Sequence, residues 1–562
     1  MPFSVKKQDI RRASNLFILS LFLAACNPGV NAAFETPSTP PTAVQTAPTP
    51  TETPLPAPPS LFPASISLSP DLPENLVKSL KIPEDLIVTK PPENGSLQLV
   101  IGSENPVSNW VYALAAPFPT MADNVSSTDF LAFWRGEPVG DFPAQKILVS
   151  PNTRQVFEHL WGAASANIVS VASPAQMIEK AWQARDFWAI LPFEEIEPRW
   201  KVLSIDQQSP IHKNFDMQNY PLNAFISLQG DPAAMRAVLE KYGPASQTPF
   251  APGSNRDPNR LTTVVLTGVT ALVRGTASMM ELNGMTYPAQ DIGGILRQAD
   301  ITHISNEIPF SPKCPMPYLQ ENNLVFCSRP QYIELLRDVG TDIVELTGDH
   351  FQDWGQEAML YTLEMYREEG WHYYGGGSNL EEARRPVLLE HNHNKIAFLG
   401  CNAKGPGYAG ARVDQPGAAL CNLKQMQQEI KTLVSQGYLP IVTFQHLEYY
   451  AYTANPILKA DFESVAKAGA VIVSGSQAHQ PHAIEFLNNS FLHYGLGNLF
   501  FDQIVEGTPT RQAFIDRHVF YNGRYINTEL ITIWFVDLAR ARLMTEDERQ
   551  NLLATVFKAS GW

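Results

Sequence analysis

Acidic, amide and imidazole side chains follow four apolar segments of this sequence, each of which has the composition of a buried strand. In α/β sheets, ligands bind beyond the carboxyl ends of the strands, where the connecting loops converge. We therefore expect these side chains to meet at one edge of a sheet. They are Glu307 after ITHIS, Asp349 and His350 after TDIVEL, His446 and Glu448 after YLPIVTF, and Gln477 and His479 after AVIVS.

This mixture of ligand types is typical of a divalent metal site. Carboxylate and amide oxygens suit hard cations and borderline cations accept imidazole, so the set predicts Mn, Zn or Fe, as one or two ions. Two such ions can activate a water molecule and stabilise the leaving oxygen of an ester. A histidine that merely forms a hydrogen bond in a loop is the alternative for each position alone. The occurrence of the pattern at four strand ends favours the metal site.

The elements that must position these residues alternate between strands and helices. From residue 260 onward, apolar segments such as LTTVVLTGV and KIAFLGC alternate with helical stretches such as QEAMLYTLEMYREEG and ILKADFESVAKAG. Glycine is a common helix stop, and it follows four of these helices at Gly340, Gly370, Gly437 and Gly469. The alternation predicts an α/β fold with helices covering a sheet.

Residues 61–255 are expected to form a separate N-terminal α/β domain. Strand-like LQLVIGS and KILVS alternate there with helical QMIEKAWQARD. The phrases WVYALAAPFPTMADNVS and FWAILPFEEIEPRWKVLSID resemble extracytoplasmic solute-binding domains. A cluster of turn-forming residues, TPFAPGSNRDPNR, marks the boundary, and the second domain is expected at residues 260–562.

The first 60 residues have the composition of an export signal and a tether. Lysines and arginines precede an apolar run, 16–25, that is much shorter than the ~20 residues needed to cross a bilayer. Residues 1–25 therefore indicate a signal peptide. The run ends in LAAC, which resembles a bacterial lipobox, so Cys26 is the expected lipidation site; a plain signal peptide is the alternative. The Pro/Thr-rich residues 26–60 then form a tether, and the protein is expected to be an extracytoplasmic lipoprotein anchored to the cell membrane.

The four remaining cysteines are an even set in a chain that is expected to be exported. An oxidising compartment favours disulfides between sequence-local pairs, Cys314 with Cys327 and Cys401 with Cys421. Four free buried thiols are the alternative.

The charge balance argues against one class of partner. The chain of 562 residues has 41 basic and 56 acidic residues, a formal net charge of −15. We therefore expect no nucleic-acid partner, because binding to a phosphate backbone depends on basic side chains.

The C-terminal half resembles the CapA family of capsule synthesis and poly-gamma-glutamate proteins, whose domain is related to calcineurin-like metallophosphoesterases. The segment FLHYGLGNLFFDQ, 491–503, is similar to the family's YSLGNFxFD block, and SNE, LTGDHFQDWG and FQHLEYY are similar to further family motifs. The resemblance implies a metallophosphoesterase-like α/β sandwich. It also implies a role in the synthesis, export or trimming of a capsule or poly-gamma-glutamate type polymer, with that anionic polymer or its synthesis machinery as the partner.

Carried over position by position, the resemblance assigns roles to individual residues. His350 takes the place of a catalytic general acid. The metal positions fall on Glu307, Asp349, His446, His479 and Gln477. The substrate-binding positions fall on Arg274, Glu448, Tyr449 and Asn498.

Two departures from the family pattern leave the activity open. The family's opening motif has an aspartate where this chain has TGVTALVRG, with Val269 and Thr270 near that position, and Gln477 replaces a histidine. The chain is therefore either a metal-dependent hydrolase or a non-catalytic lipoprotein that binds a ligand or polymer through a degenerate metal site.

Overall fold

The computed structural model describes residues 64–89, 96–140, 142–242, 253–319, 324–405, 409–476, 478–504 and 506–562. Cys26, the tether at 26–60 and Gln477 lie outside the described residues, so the expectations placed on them remain predictions. Among the described helices, none combines the length and the apolar character that a membrane span requires.

The first part of the chain folds into a mixed sheet with the order β2-β1-β3-β10-β4-β8-β6-β7, in which β9 joins β4 and β5 joins β9. Its strands are β1 Ala64–Leu68, β2 Leu86–Thr89, β3 Leu97–Ile101, β4 Pro106–Pro117, β5 Asn124–Val125, β6 Lys146–Val149, β7 Ile168–Ser170, β8 Phe187–Pro192, β9 Trp200–Ile205 and β10 Asn223–Gly230. Its α-helices are α1 Glu74–Ser79, α2 Ser127–Arg135, α3 Pro151–Trp161, α4 Pro174–Ala184 and α5 Pro232–Tyr242. These helices begin where the sequence supplies caps, as at Ser126, Ser150 and Ser173, whose hydroxyls accept backbone N–H bonds.

The second part begins at β11 and carries the predicted site. Its strands are β11 Leu261–Thr267, β12 Val269–Thr270, β13 Ile301–Asn306, β14 Ile343–Glu345, β15 His372–Tyr374, β16 Gly376–Gly377, β17 Val387–His391, β18 Asn394–Asn402, β19 Gly417–Ala418, β20 Leu439–Gln445, β21 Ile472–Gly475, β22 Ile484–Leu487, β23 Ser490–His493, β24 Asn498–Phe500, β25 Gln512–Tyr521, β26 Arg524–Phe535 and β27 Ala541–Leu543. Its α-helices are α6 Arg274–Asn283, α7 Gly293–Arg297, α8 Ile333–Asp338, α9 Gly355–Glu368, α10 Leu380–Arg384, α11 Leu423–Ser435, α12 Pro456–Ala468 and α13 Glu546–Ala559.

Two larger sheets of the second part pack face to face. One has the order β15-β14-β13-β11-β25-β26-β27, with β12 between β13 and β24, and the other has the order β17-β18-β20-β21-β23-β22. Strands β11, β13, β14 and β15 run parallel, as do β18, β20, β21 and β23, so their carboxyl ends share an edge within each sheet. All seven residues of β11 are buried, as expected for a strand covered on both faces.

Helices cover the outer faces of this pair of sheets. Side chains of α9 such as Leu363 and Tyr366 pack on the first sheet, and Ile430 of α11 and Phe462 of α12 pack on the second. Between the sheets, Val264 and Ile301 share a core with Ile441 and Ile472. The α/β prediction is therefore confirmed, with a sandwich in the second part of the chain.

The predicted helix stops and cysteine pairs also appear in the structure. Gly340, Gly370, Gly437 and Gly469 all follow helices with positive φ, which residues with a side chain rarely adopt. Disulfides join the cysteine pairs that the sequence favoured, Cys314–Cys327 and Cys401–Cys421.

The two parts of the chain pack directly on each other. The Phe193 and Tyr521 rings lie 4.8 Å apart, and Asn527 donates a 2.6 Å hydrogen bond to the carbonyl of Trp200. Residues 60–562 form a single compact unit. The change from one sheet to the next falls between Gly230 and Leu261. The division into domains at 61–255 and 260–562 stays a prediction.

A charged contact between the two parts gives a pH-dependent prediction. Glu529 on β26 lies 2.8 Å from His212 Nε2 and 2.7 Å from Arg517 Nε. Burial alone would raise the pKa of Glu529, but Arg517 and His212 lower it to about 2. Because this pKa is below the ordinary value of 4.5, the contact stabilises the folded state above that pH, and the contribution disappears as the pH falls toward 2.

Glu529→Gln is therefore expected to lower the free energy of unfolding by about 2–3 kcal/mol at pH 7 and to flatten its decline between pH 4.5 and 2. Urea unfolding across this pH range measures both effects, with Glu390→Gln on exposed β17 as the control. The same acid dependence in the Glu529 variant and the wild type would contradict this assignment.

Candidate metal centre

Glu307, Asp349 and His350 converge beyond the carboxyl ends of the parallel strands β13 and β14. Each contributes one ligand atom to a group in which all three atoms lie within 4.8 Å of one another. His350 Nε2 is 3.8 Å from Glu307 Oε1. This is the juxtaposition that the sequence predicted for the first two strand ends.

Glu307 is the least compensated member of the group. It is only 2% exposed, and its Oε2 has no hydrogen-bond partner among the described residues. Burial raises the pKa of Glu307 to about 8. A buried carboxylate oxygen without a donor is costly, and a bound cation removes that cost. The donor set of two carboxylates and one imidazole therefore fits a divalent cation.

His350 is held in place from its other ring nitrogen. Its Nδ1 lies 2.6 Å from Asp353 Oδ2, and the Phe326 ring covers it at 4.6 Å. Burial alone would lower the pKa of His350, but the hydrogen bond to Asp353 and the charges of Glu307 and Asp349 raise it to about 9. A carboxylate on the far nitrogen orients the imidazole, as it commonly does for metal-binding histidines.

Asp349 is fixed by contacts on both of its oxygens. Gln445, at the end of β20, donates its amide to Asp349 Oδ1 and accepts a 3.0 Å hydrogen bond from the Asp349 backbone N–H. Lys404 Nζ lies 2.6 Å from Asp349 Oδ2. Asp349 therefore has a defined orientation in the group.

Lys404 is a member of the site that sequence reasoning missed. Its ammonium lies 2.5 Å from Glu448 Oε1 and so bridges Glu448 and Asp349. Burial alone would lower the pKa of Lys404, but its hydrogen bonds to the two carboxylates raise it, so the group stays charged. It follows the end of β18, the same kind of position that identified the other residues. Lys404 was not predicted because only acidic, amide and imidazole side chains were considered as metal ligands at the strand ends.

His479 lies on the far side of Glu448. Its Nε2 is 3.8 Å from Glu448 Oε2, and its Nδ1 is 2.9 Å from Asn498 Oδ1. The Asn498 amide donates a 3.0 Å hydrogen bond to the Gln503 carbonyl. Both residues are buried, and burial lowers the pKa of His479. Asn498 therefore orients His479, and the substrate-binding role that the family resemblance assigned to it stays a prediction.

The segment that contains Glu307, Asp349 and His350 is similar to known proteins. Residues 263–503 match the family described as bacterial capsule synthesis protein PGA_cap. These residues resemble the CapA family. The capsule biosynthesis protein CapA of Bacillus anthracis is 23% identical over 281 residues, which cover 49% of this chain and 68% of that protein. The PGA biosynthesis protein CapA of Bacillus subtilis (strain 168) is 26% identical over 194 residues, 34% of this chain and half of that protein.

Solved structures show more distant similarity. A phosphatase from Mycoplasma pneumoniae aligns with a TM-score of 0.32 and 13% identity, over 49% of this chain and 94% of its own. A 5′-nucleotidase precursor from Thermus thermophilus aligns with a TM-score of 0.31 and 11% identity, over 53% and 59%. An ABC-type phosphate transport receptor from Vibrio cholerae aligns with a TM-score of 0.26 and 13% identity, over 32% and 91%.

One CapA-family metal position lies apart from the central group. His446 Nε2 is 3.1 Å from Asp461 on α12, and within the described ranges its Nδ1 is buried without a partner. The group of three ligand atoms found in the described residues includes neither His446 nor His479. The ends of β13 and β14 therefore come together as expected. His446 instead contacts Asp461, and His479 lies next to Glu448.

Two CapA-family substrate positions are engaged in internal contacts. Arg274 donates to Asp502 Oδ1 from Nε at 3.0 Å, and its guanidinium contacts both the Phe326 and the Phe501 rings. The Tyr449 hydroxyl accepts a 2.8 Å hydrogen bond from the Asn455 N–H. In this conformation both side chains stabilise the rim of the site.

The CapA-family departure at Val269 has a clear structural counterpart. Val269 is fully buried in an apolar cluster with Ala271, Val273, Ile308, Phe326 and Phe501. The position near which the family has an aspartate therefore carries a buried apolar side chain here.

Gly348, beside the group of Glu307, Asp349 and His350, gives a testable prediction for this site. A Cβ added to Gly348 would lie 2.6 Å from the Glu307 carbonyl oxygen and 2.8 Å from Glu307 Cα. Gly348→Ala must therefore displace the Glu307 backbone, and we expect a loss of about 1–3 kcal/mol in stability and at least ~10-fold in Mn²⁺ affinity. Thermal unfolding and calorimetric titration measure these effects. The control is Gly294→Ala, where an added Cβ meets open space. Wild-type affinity in the Gly348 variant would refute the close approach.

Proposed function

We propose that this CapA-family protein acts outside the cell on an anionic polymer of the capsule or poly-gamma-glutamate type, in its synthesis, export or trimming. We further propose that Glu307, Asp349 and His350 hold a divalent cation, Mn, Zn or Fe, for a hydrolytic step. The observation that best supports the site is the buried Glu307, which lies within 4.8 Å of two other ligand groups and whose Oε2 lacks a donor within the described residues.

A bound divalent ion would supply Lewis acidity for the attack of water on the polymer bond. The carboxylates of Glu307 and Asp349 would hold the ion, Gln445 would keep Asp349 in place, and Asp353 would direct His350 Nε2 toward the site. The positive charge of Lys404 would offset part of the negative charge of Asp349 and Glu448, which would otherwise repel the carboxylates of the polymer.

His350 can serve either as a third ligand or as the general acid that the resemblance assigned. A ligand must lose the proton on Nε2, whereas an acid must keep it. His350→Gln separates the two roles. Weaker Mn²⁺ binding identifies a ligand, whereas unchanged binding with lost turnover identifies an acid.

The direct test of hydrolysis uses poly-gamma-glutamate as the substrate. The purified protein is incubated with the polymer in Mn²⁺ or in chelator, and chain length is followed by size-exclusion chromatography. Shortening that requires both Mn²⁺ and Glu307 supports the proposal, and an unchanged polymer under every condition rejects this substrate and reaction.

The proposed location follows from the N-terminal sequence. Lipidation of Cys26 would anchor the chain to the cell membrane, and residues 26–60 would extend the remainder away from it. Cys26→Ala should then move the protein from the membrane fraction to the soluble fraction. Retention of the variant in the membrane would contradict the anchor.

Binding without catalysis is the second candidate function, and Lys404 favours it. An internal ammonium already neutralises part of the anionic cluster, and the position near which the family has an aspartate carries the buried apolar Val269. If this function is correct, poly-gamma-glutamate should raise the unfolding temperature equally in chelator and in Mn²⁺. Stabilisation that requires Mn²⁺ would favour the metal-dependent function.

A further inference from the structure

The position of Lys404 has a consequence for how many cations the site can hold. Its ammonium contacts Asp349 Oδ2 at 2.6 Å and Glu448 Oε1 at 2.5 Å. Asp349 also belongs to the group with Glu307 and His350. One carboxylate thus faces the proposed metal position on one side and an ammonium on the other, an arrangement in which two positive charges share a bridging anion.

We propose that Lys404 is a built-in cation that occupies the second position of a two-cation centre and limits the site to one divalent ion. The inference rests on the proposed metal site at Glu307, Asp349 and His350. It concerns the stoichiometry of that site, which neither the family match nor the strand-end pattern determines.

The main chain around Lys404 is anchored to the loop that carries Asp349. The Lys404 N–H donates a 2.9 Å hydrogen bond to Asn402 Oδ1, and the Asn402 amide donates a 2.9 Å hydrogen bond to the Thr347 carbonyl. Asn402 ends β18, next to Cys401, whose disulfide joins Cys421. The base of the lysine is therefore held in place, unlike that of a surface lysine on a free loop.

The groups around the ammonium have the side-chain types of metal ligands, although within the described residues only Glu307, Asp349 and His350 bring their ligand atoms within 4.8 Å of one another. Glu448 Oε2 lies 3.8 Å from His479 Nε2, and Asn498 holds His479 by its other nitrogen. Without the ammonium, Asp349, Glu448 and His479 would present two carboxylates and one imidazole. This is the same chemistry as the first group, and it suits the same borderline divalent cations.

Metal stoichiometry tests the inference directly. The full-length protein is loaded with Mn²⁺, desalted and analysed by inductively coupled plasma mass spectrometry. We expect one ion per chain in the wild type and two in Lys404→Met, which keeps the length of the side chain without its charge. Lys404→Arg keeps the charge and should retain one ion. Lys431→Met, on the exposed face of α11, is the matched control and should also retain one.

A stability measurement covers the case in which the methionine variant folds poorly. Lys404→Met leaves Asp349 and Glu448 uncompensated, so it should unfold at a lower temperature than wild type in chelator. Mn²⁺ should then raise its unfolding temperature by more than that of the wild type. An equal Mn²⁺ shift in the two proteins would overturn the inference.

The outcomes distinguish this inference from the proposed function. One ion in both the wild type and Lys404→Met overturns the role of Lys404 and leaves the metal site intact. Two ions in the wild type overturn the role of Lys404 as well. No ion in the wild type overturns the proposed metal site itself, and the inference with it.

Discussion

Glu307→Gln is expected to weaken Mn²⁺ binding by at least ~100-fold. Within the three-residue group, Glu307 is the buried carboxylate whose Oε2 lacks a donor among the described residues, so a bound cation would stabilise it most. Glutamine keeps the size of the side chain but removes its negative charge, and an amide is a much weaker ligand. Isothermal titration calorimetry with Mn²⁺ measures the change, and Glu390→Gln on β17 is the exposed control.

The same variant provides its own control for folding. Because burial raises the pKa of Glu307 to about 8, ionisation of the side chain is unfavourable in the metal-free protein. Glu307→Gln should therefore unfold in chelator at no lower temperature than wild type. Binding of Mn²⁺ by this variant with wild-type affinity would show that the cation lies elsewhere.

Asp516→Ala is expected to lower the free energy of unfolding by about 3–5 kcal/mol. Asp516 on β25 and His493 on β23 belong to the two facing sheets, and Asp516 Oδ2 lies 2.6 Å from His493 Nδ1. Both side chains are fully buried. Removal of the carboxylate leaves an imidazole buried without a partner and opens a space between the sheets.

Chemical denaturation measures the effect of this substitution. Asp516→Asn keeps a hydrogen-bond acceptor and should lose less stability than Asp516→Ala. Asp414→Ala, at an exposed turn position, should be close to wild type. A loss below about 1 kcal/mol for Asp516→Ala would show that the pair contributes little to the packing of the sheets.

The sequence predicted which strand ends would form the site because the carboxyl ends of parallel strands must share an edge. This argument placed Glu307, Asp349 and His350 together, and it also brought Glu448 and His479 near them. It could not predict side-chain direction. In the structure, His446 Nε2 contacts Asp461 on α12, and His446 is not part of the three-residue group.

Contacts made between distant side chains were beyond the sequence argument. The family resemblance assigned Arg274 to substrate binding, and in the structure Asp502, more than two hundred residues later, binds its guanidinium. Lys404 was missed because its role depends on two carboxylates from other loops. The packing of the first part of the chain against β25 and β26 could not be predicted either. The alternation of strands and helices along a sequence does not indicate which surfaces of the folded chain contact each other.

Anomalous diffraction from crystals grown with Mn²⁺ would locate the cation directly. We expect one strong anomalous peak among Glu307, Asp349 and His350, absent in Glu307→Gln, with the ammonium of Lys404 still between Asp349 and Glu448. A site without anomalous density at saturating Mn²⁺, or a peak away from these three side chains, would contradict the proposed metal site.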